Sequence, residues 1–155
     1  MNFVIRKMMA NDVDSIARAF AHWKKRREQY ERYWKENEEG KRVTLVAVSG
    51  EHVVGYTNII WQPDYPPFQA AGIPEINDLN VLAEFQKQGI GTALITEAEQ
   101  IALQHGHNVM GIGFGLTANY GAAQRLYPQL GYIPDGKGVH PTAWGDVLYL
   151  TNRLQ

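Results

Sequence analysis

The chain has 155 residues, with 15 Lys and Arg against 16 Asp and Glu and no cysteine, which excludes disulfides, thiolate metal sites and a cysteine nucleophile. A net charge of −1 lacks the basic excess of a nucleic-acid binder, and 45% hydrophobic with 20% charged residues is a globular balance rather than a disordered one. The longest apolar run, Val43 to Val48 with Thr44 inside it, falls far short of the roughly 20 residues of a membrane span, and residues 1–30 lack a secretory pattern, so the expectation is one cytoplasmic domain over 1–155.

In chain order, Phe3–Met8 reads as a strand. Asn11 is a candidate helix cap with Asp14 behind it, and Val13, Ile16, Ala17 and Phe20 repeat at helical spacing. The segment 23–42 holds eight basic and five acidic residues, a local +3. Its Lys24-Lys25-Arg26-Arg27 run is followed by Glu28, Glu31, Glu36, Glu38 and Glu39, which predicts a solvated helix with i,i+4 pairs rather than a nucleic-acid patch. Tyr30, Tyr33 and Trp34 give that helix an apolar face. Val43–Ser49 and Val53–Trp61 flank Gly50-Glu51-His52 as a hairpin. Three prolines between Trp61 and Phe68 predict an irregular loop.

Glu75–Val81 is the next predicted strand. A helix begins near Gly89, carries Ile90, Leu94, Ala98 and Ile101 on one face, and ends at Gly106. Val109–Phe114 is a strand, Tyr120–Leu130 a helix stopped by Gly131, and Val147–Leu154 a closing strand. This order predicts an α+β sheet layered with helices.

The segment Gln86-Lys87-Gln88-Gly89-Ile90-Gly91-Thr92 carries the most chemistry. A strand, a tight glycine turn and a helix start aim several backbone N–H groups at one point, where the helix dipole adds positive charge. The matching guest is a phosphate or pyrophosphate, with Lys87 at the rim. A Walker A ending is absent, and Leu94 stands where a dinucleotide fingerprint needs a small residue. The pattern left is Q-x-x-G-x-G on Gln86, Gly89 and Gly91.

A second segment follows the same helix and one further strand: Ala123, Tyr127, Gly131 and Tyr132 in an A-x-x-x-Y-x-x-x-G-Y array. With both segments in place, the sequence resembles the GNAT superfamily of acyl-CoA N-acetyltransferases across nearly its whole length. The resemblance implies a mixed, mostly antiparallel sheet of about six to seven strands flanked by about four helices. It implies acetyl-CoA as cosubstrate, with its pyrophosphate on residues 86–92 and its pantetheine amides along the backbone of Leu79 and Val81. Ala123 belongs to the later signature. The family often has Asn seven residues before the helix tyrosine; here that position is Tyr120, and Asn119 is the candidate replacement.

Ser15 and Ser49 are the only serines and neither sits in a nucleophile elbow, so direct transfer to an amine is favoured over an acyl-enzyme. The resemblance places the Tyr127 hydroxyl near the coenzyme sulfur as proton donor. Glu75 and Asp78 are the candidate bases, on opposite faces if their strand is regular. The histidines never take a metal-site spacing, so no metal is expected. The acceptor is expected to be a small-molecule or peptide amine, with no nucleic acid or membrane partner and with a homodimer compatible. Trp61, Tyr65, Phe68, Tyr30, Tyr33 and Trp34 are candidates either for an aromatic acceptor pocket or for plain packing. The alternative function is a non-catalytic acyl-CoA-binding regulatory module on the same fold.

Overall fold

The computed structural model describes residues 2–23 and 25–155; Lys24 of the basic run lies outside them. Strands β1 (Val4–Lys7), β2 (Arg42–Ser49), β3 (His52–Ile60), β4 (Glu75–Val81), β5 (Val109–Gly115), β6 (Ile133–Thr142) and β7 (Gly145–Arg153) form one sheet. Their order is β1-β2-β3-β4-β5-β7-β6, and every neighbouring pair is antiparallel except β4 with β5. The helices are α1 (Asp12–Ala19), α2 (Arg27–Glu38), α3 (Pro66–Ala71), α4 (Ile90–Gln104) and α5 (Gly121–Gln129). Among the described residues no helix is long and apolar enough to cross a membrane.

The helices cover both faces because their apolar stripes require it. Ile16 of α1 and Phe20 just after it, with Tyr30 and Tyr33 of α2, pack on Val46 and Tyr56. On the opposite face Ile90, Leu94, Ala98 and Ile101 of α4 pack with Leu45, Val54, Ile76 and Ile112, and Tyr127 of α5 joins them. The expected i,i+4 pairs on α2 form between Arg27 and Glu31 and between Arg32 and Glu36.

Three expectations change. Residues 66–71 are helical although Pro66 and Pro67 read as breakers: both occupy the first turn, where no intrahelical N–H bond is lost. Gly72 at φ 68° ends that helix, and the Ile73 N–H returns to the Phe68 carbonyl at 2.9 Å. Residues 133–142 form β6, whose prolines and glycines hid it; as an edge strand paired only with β7, and irregularly between Pro134 and Val139, it tolerates them. Asn11 precedes α1 but makes no side-chain capping bond; Asp12 instead accepts the Met9 N–H at 2.7 Å and pairs with Arg6.

The Gly-Ile-Gly-Phe-Gly run of β5 has a packing reason. Its three glycines point to one face, and each empty Cβ position is taken by a residue from elsewhere. A methyl on Gly111 would stand 2.3 Å from the Phe68 ring, one on Gly113 2.8 Å from Val147, and one on Gly115 2.4 Å from the Tyr120 ring. Tyr65 and Phe68 are thereby seated against Tyr149, with the Tyr65 and Tyr149 rings stacked at 3.7 Å. Gly111→Ala is expected to cost about 2 kcal/mol in urea denaturation, as overpacking does. A loss under about 0.5 kcal/mol would mean that Phe68 retreats freely.

Candidate active site

The sheet is split at its middle. β4 and β5 pair only at Glu75 with Gly111 and Ile76 with Ile112, and beyond that point the strands part. The Leu82 N–H reaches back to Val54 of β3, so strand alternation turns the Leu79 and Val81 amides toward the gap. A cleft of about 2220 Å³ runs through this opening, from the glycine turn before α4 to the α2 end of the sheet.

At the turn, Lys87 (φ 63°) and Gly89 (φ 84°) both take left-handed backbone, which curls residues 87–92 into a cradle. The first backbone hydrogen bond into α4 is Ala93 N–H to the Gly89 carbonyl at 3.0 Å. Among the described residues no acceptor takes the N–H groups of Lys87 through Thr92. Six free amides stand at the positive end of a 15-residue helix, where partial positive charge suits an anion. The Gln86 side chain donates to the Val81 carbonyl at 3.1 Å, and Gln88 donates to the Glu84 carbonyl at 3.5 Å.

The opposite wall is built on a bulge in β4. Tyr56 pairs with Asn80 and Asn58 with Asn77, so Thr57 alone lies opposite both Asp78 and Leu79. Asp78 absorbs the extra residue at φ 57°. The bulge reverses the alternation, and Asp78 therefore lies on the same face as Glu75, against the expectation for a regular strand. There Asp78 accepts from Tyr33 Oη at 2.6 Å, Asn80 Nδ2 at 2.8 Å, Gln29 Nε2 at 3.2 Å and Tyr56 Oη at 3.2 Å, and pairs with Lys25. Burial by itself would raise its pKa, but the Lys25 ammonium and the donated hydrogen bonds outweigh burial and hold it below the ordinary 3.8. Burial and the Asp78 charge push the Tyr33 and Tyr56 hydroxyls up, so both remain donors.

Glu75 has the contrary environment. It is 7% exposed and has one hydrogen bond, from Asn77 Nδ2 at 3.0 Å. Burial, helped by the nearby Asp64 charge and opposed by that hydrogen bond, lifts its pKa from 4.5 to about 7. Tyr127 is 6% exposed on α5, its ring 6.1 Å from that of Phe114. Burial and the Asp78 charge raise its pKa, and its hydroxyl has no hydrogen-bond partner among the described residues.

The family model described as "Acetyltransferase (GNAT) family" matches residues 10–132. The chain belongs to that family. Solved structures share the GNAT fold at low identity. An N-acetyltransferase from Staphylococcus aureus Mu50 is similar with TM-score 0.77 at 16% identity over 100% of both chains. A ribosomal-protein-alanine N-acetyltransferase from Brucella melitensis gives 0.75 at 19%, covering 97% of this chain and 99% of that one. A GNAT family acetyltransferase from Elizabethkingia anophelis with acetyl-CoA bound gives 0.66 at 18% over 99% of both. A search of curated protein sequences returned no match.

Within this GNAT domain the cleft brings together Glu75, Asp78, Leu79, Val81, Gln86, Lys87, Gly89, Ile90, Gly91, Thr92, Asn119, Ala123 and Tyr127; Gln88 lies in the turn but off the cleft wall. Asn119 is held by Thr117, while Tyr120, at the family's asparagine position, fills the space over Gly115. Of the six candidate acceptor aromatics, Tyr33, Trp61 and Tyr65 reach the cleft. Phe68 and Tyr30 are core, and Trp34 packs beside the α1–α2 core. Trp61 also stacks on His105 at 4.7 Å and His107 at 5.5 Å. No group of three or more His, Asp or Glu among the described residues is placed to hold a metal.

Sequence reasoning passed over Lys25 and Arg42. Lys25 sits in a run of like charges and nothing local separates it from its solvated neighbours. Arg42 had a usable signal, since strand alternation puts it on the face of Thr44 and Val46, both buried.

Proposed function

We propose that residues 1–155 act as one acetyltransferase domain that moves the acetyl group of acetyl-CoA directly to a primary amine of a small molecule or peptide. The observation that carries this reading is a buried Glu75 carboxyl with a pKa near 7 in the same cleft as the unpartnered Tyr127 hydroxyl. Such a pair divides acid from base work between two groups at neutral pH.

The residues present suit coenzyme A. Six unpartnered amides from Lys87 to Thr92 match a diphosphate, and the outward-turned amides of Leu79 and Val81 match an extended chain of peptide-like groups. Asn119 and Ala123 wall the cofactor side of the cleft. When bound, acetyl-CoA supplies an acetyl group activated as a thioester. Glu75 takes the proton of the incoming amine, whose ordinary pKa near 10.4 otherwise keeps it protonated. Tyr127 holds a proton at Oη for the departing sulfur. Asp78 is already ionised and saturated with donors, so it positions β4 rather than accepting a proton.

Gly91 separates cofactor binding from folding. A methyl there would meet only Leu126 at 3.5 Å and Leu79 at 4.0 Å, ordinary contacts, so the fold does not demand glycine. Gly91→Ala is expected to keep or raise the melting temperature of the free protein and to weaken coenzyme A binding about tenfold by calorimetry. The function itself is tested by free-thiol release from acetyl-CoA across an amine panel. Acceptor-dependent thiol is expected; thermal stabilisation by coenzyme A with no such thiol would leave a binding module and overturn the enzymatic reading.

A further inference from the structure

One row of the sheet links the proposed base to an arginine. Arg42 pairs with Ile60, and Ile60 pairs with Glu75. Residues directly opposite in antiparallel strands share a face. Adjacent strands lie about 4.8 Å apart, so the Arg42 and Glu75 backbones stand about 10 Å apart with Ile60 as the floor between them. All three line the cleft.

Arg42 is 7% exposed, and its guanidinium lies 4.2 Å from the Tyr33 ring centroid. Nε donates to Glu36 Oε1 at 2.9 Å, and Nη2 lies 2.8 Å from the same oxygen. Nη1 has no partner, alone among the buried side-chain polar atoms of the described residues. A buried guanidinium edge left unmatched is costly and marks a place where a ligand acceptor is missing. Arg42 also borders a second cavity of about 560 Å³ that includes Trp34 and Trp61, which gives the guanidinium room to turn that edge toward a ligand. Arg32 lies 3.9 Å from Glu36 on its other oxygen, so two guanidinium groups share one carboxylate and the cluster carries +1.

We propose, resting on the amine-transfer reading above, that the acceptor is an amino carboxylate: its amine lies at Glu75 and its carboxylate on the free Nη1 edge of Arg42. One remaining donor edge and one uncompensated positive charge match a carboxylate rather than a doubly charged phosphate. The short reach between the two sites fits an amino acid, a short ω-amino acid or a dipeptide.

The test compares kcat/KM by thiol release for the standard amino acids, short ω-amino acids and dipeptides with their matched carboxamides. At least one carboxylate is expected to exceed its carboxamide about tenfold or more, the strength of a charge-assisted pair. Arg42→Met collapses that ratio toward one. Arg32→Gln, at a side chain 61% exposed and away from the core, lowers it about threefold. Equal rates for acid and amide in the wild type overturn the proposal, as does a ratio that survives Arg42→Met in a protein that still melts cooperatively. If Arg42→Met does not fold, an unchanged ratio in Arg32→Gln overturns it. Thiol absent with every amine sinks the transfer reading and this inference together, a different result from turnover without discrimination.

Discussion

Glu75→Gln is expected to lower kcat/KM by about 10²- to 10³-fold and to remove its rise with pH. In the wild type, kcat/KM is expected to climb as Glu75 loses its proton and to level off above a pH of about 7. The same substitution stabilises the fold, and the sign follows from proton counting. Between 4.5 and about 7 the native state holds the Glu75 proton while the unfolded chain has released it. Unfolding free energy therefore falls as pH rises through this window. A displacement from 4.5 to about 7 corresponds to about 3 kcal/mol lost by pH 8. Glutamine has no proton to lose, so the variant's advantage is near zero in acid and approaches that figure in mild alkali. A pH–rate profile and urea unfolding at both ends of the range check the two halves separately. A variant that keeps the wild-type pH profile would remove Glu75 from the chemistry.

Tyr127→Phe is the second large effect. Phenylalanine keeps the ring that packs near Phe114 and Tyr132, and the hydroxyl it deletes has no hydrogen-bond partner among the described residues. Stability should consequently stay within about 0.5 kcal/mol of wild type, or rise, because no hydrogen bond is broken. kcat, by contrast, is expected to fall about 10²-fold while the acetyl-CoA KM changes little, the pattern of an interaction made only in the transition state. Steady-state kinetics beside a thermal melt reads both. An unchanged kcat would reject the acid role, and a large drop in melting temperature would show that the hydroxyl has a structural partner.

The features legible in the sequence were those set by neighbours along the chain. The Gly89 turn, the stripe Ile90–Leu94–Ala98–Ile101 and the α5 signature around Tyr127 each depend on residues within a few positions, so pattern and structure agree. What stayed hidden depends on contacts made across the sheet. The reversal of alternation at Asp78 has no local mark, since an aspartate in left-handed backbone is common to turns and bulges alike; it follows from Lys25, Tyr33 and Tyr56 converging on one carboxylate. β6 was disguised because an edge position removes the penalty that its prolines would meet in a central strand. The glycines of β5 read as a plain strand, and only the rings seated over Gly111 and Gly115 explain why they are glycines.

The parted strands β4 and β5 also bear on solubility. An unpaired strand edge at the rim of a sheet recruits other chains and leads to aggregation. Here two such edges face one another inside the sheet, flanked by β3 on one side and β7 on the other, rather than standing at its rim. Main-chain donors placed there are kept off the rim of the sheet, where its own copies would meet them.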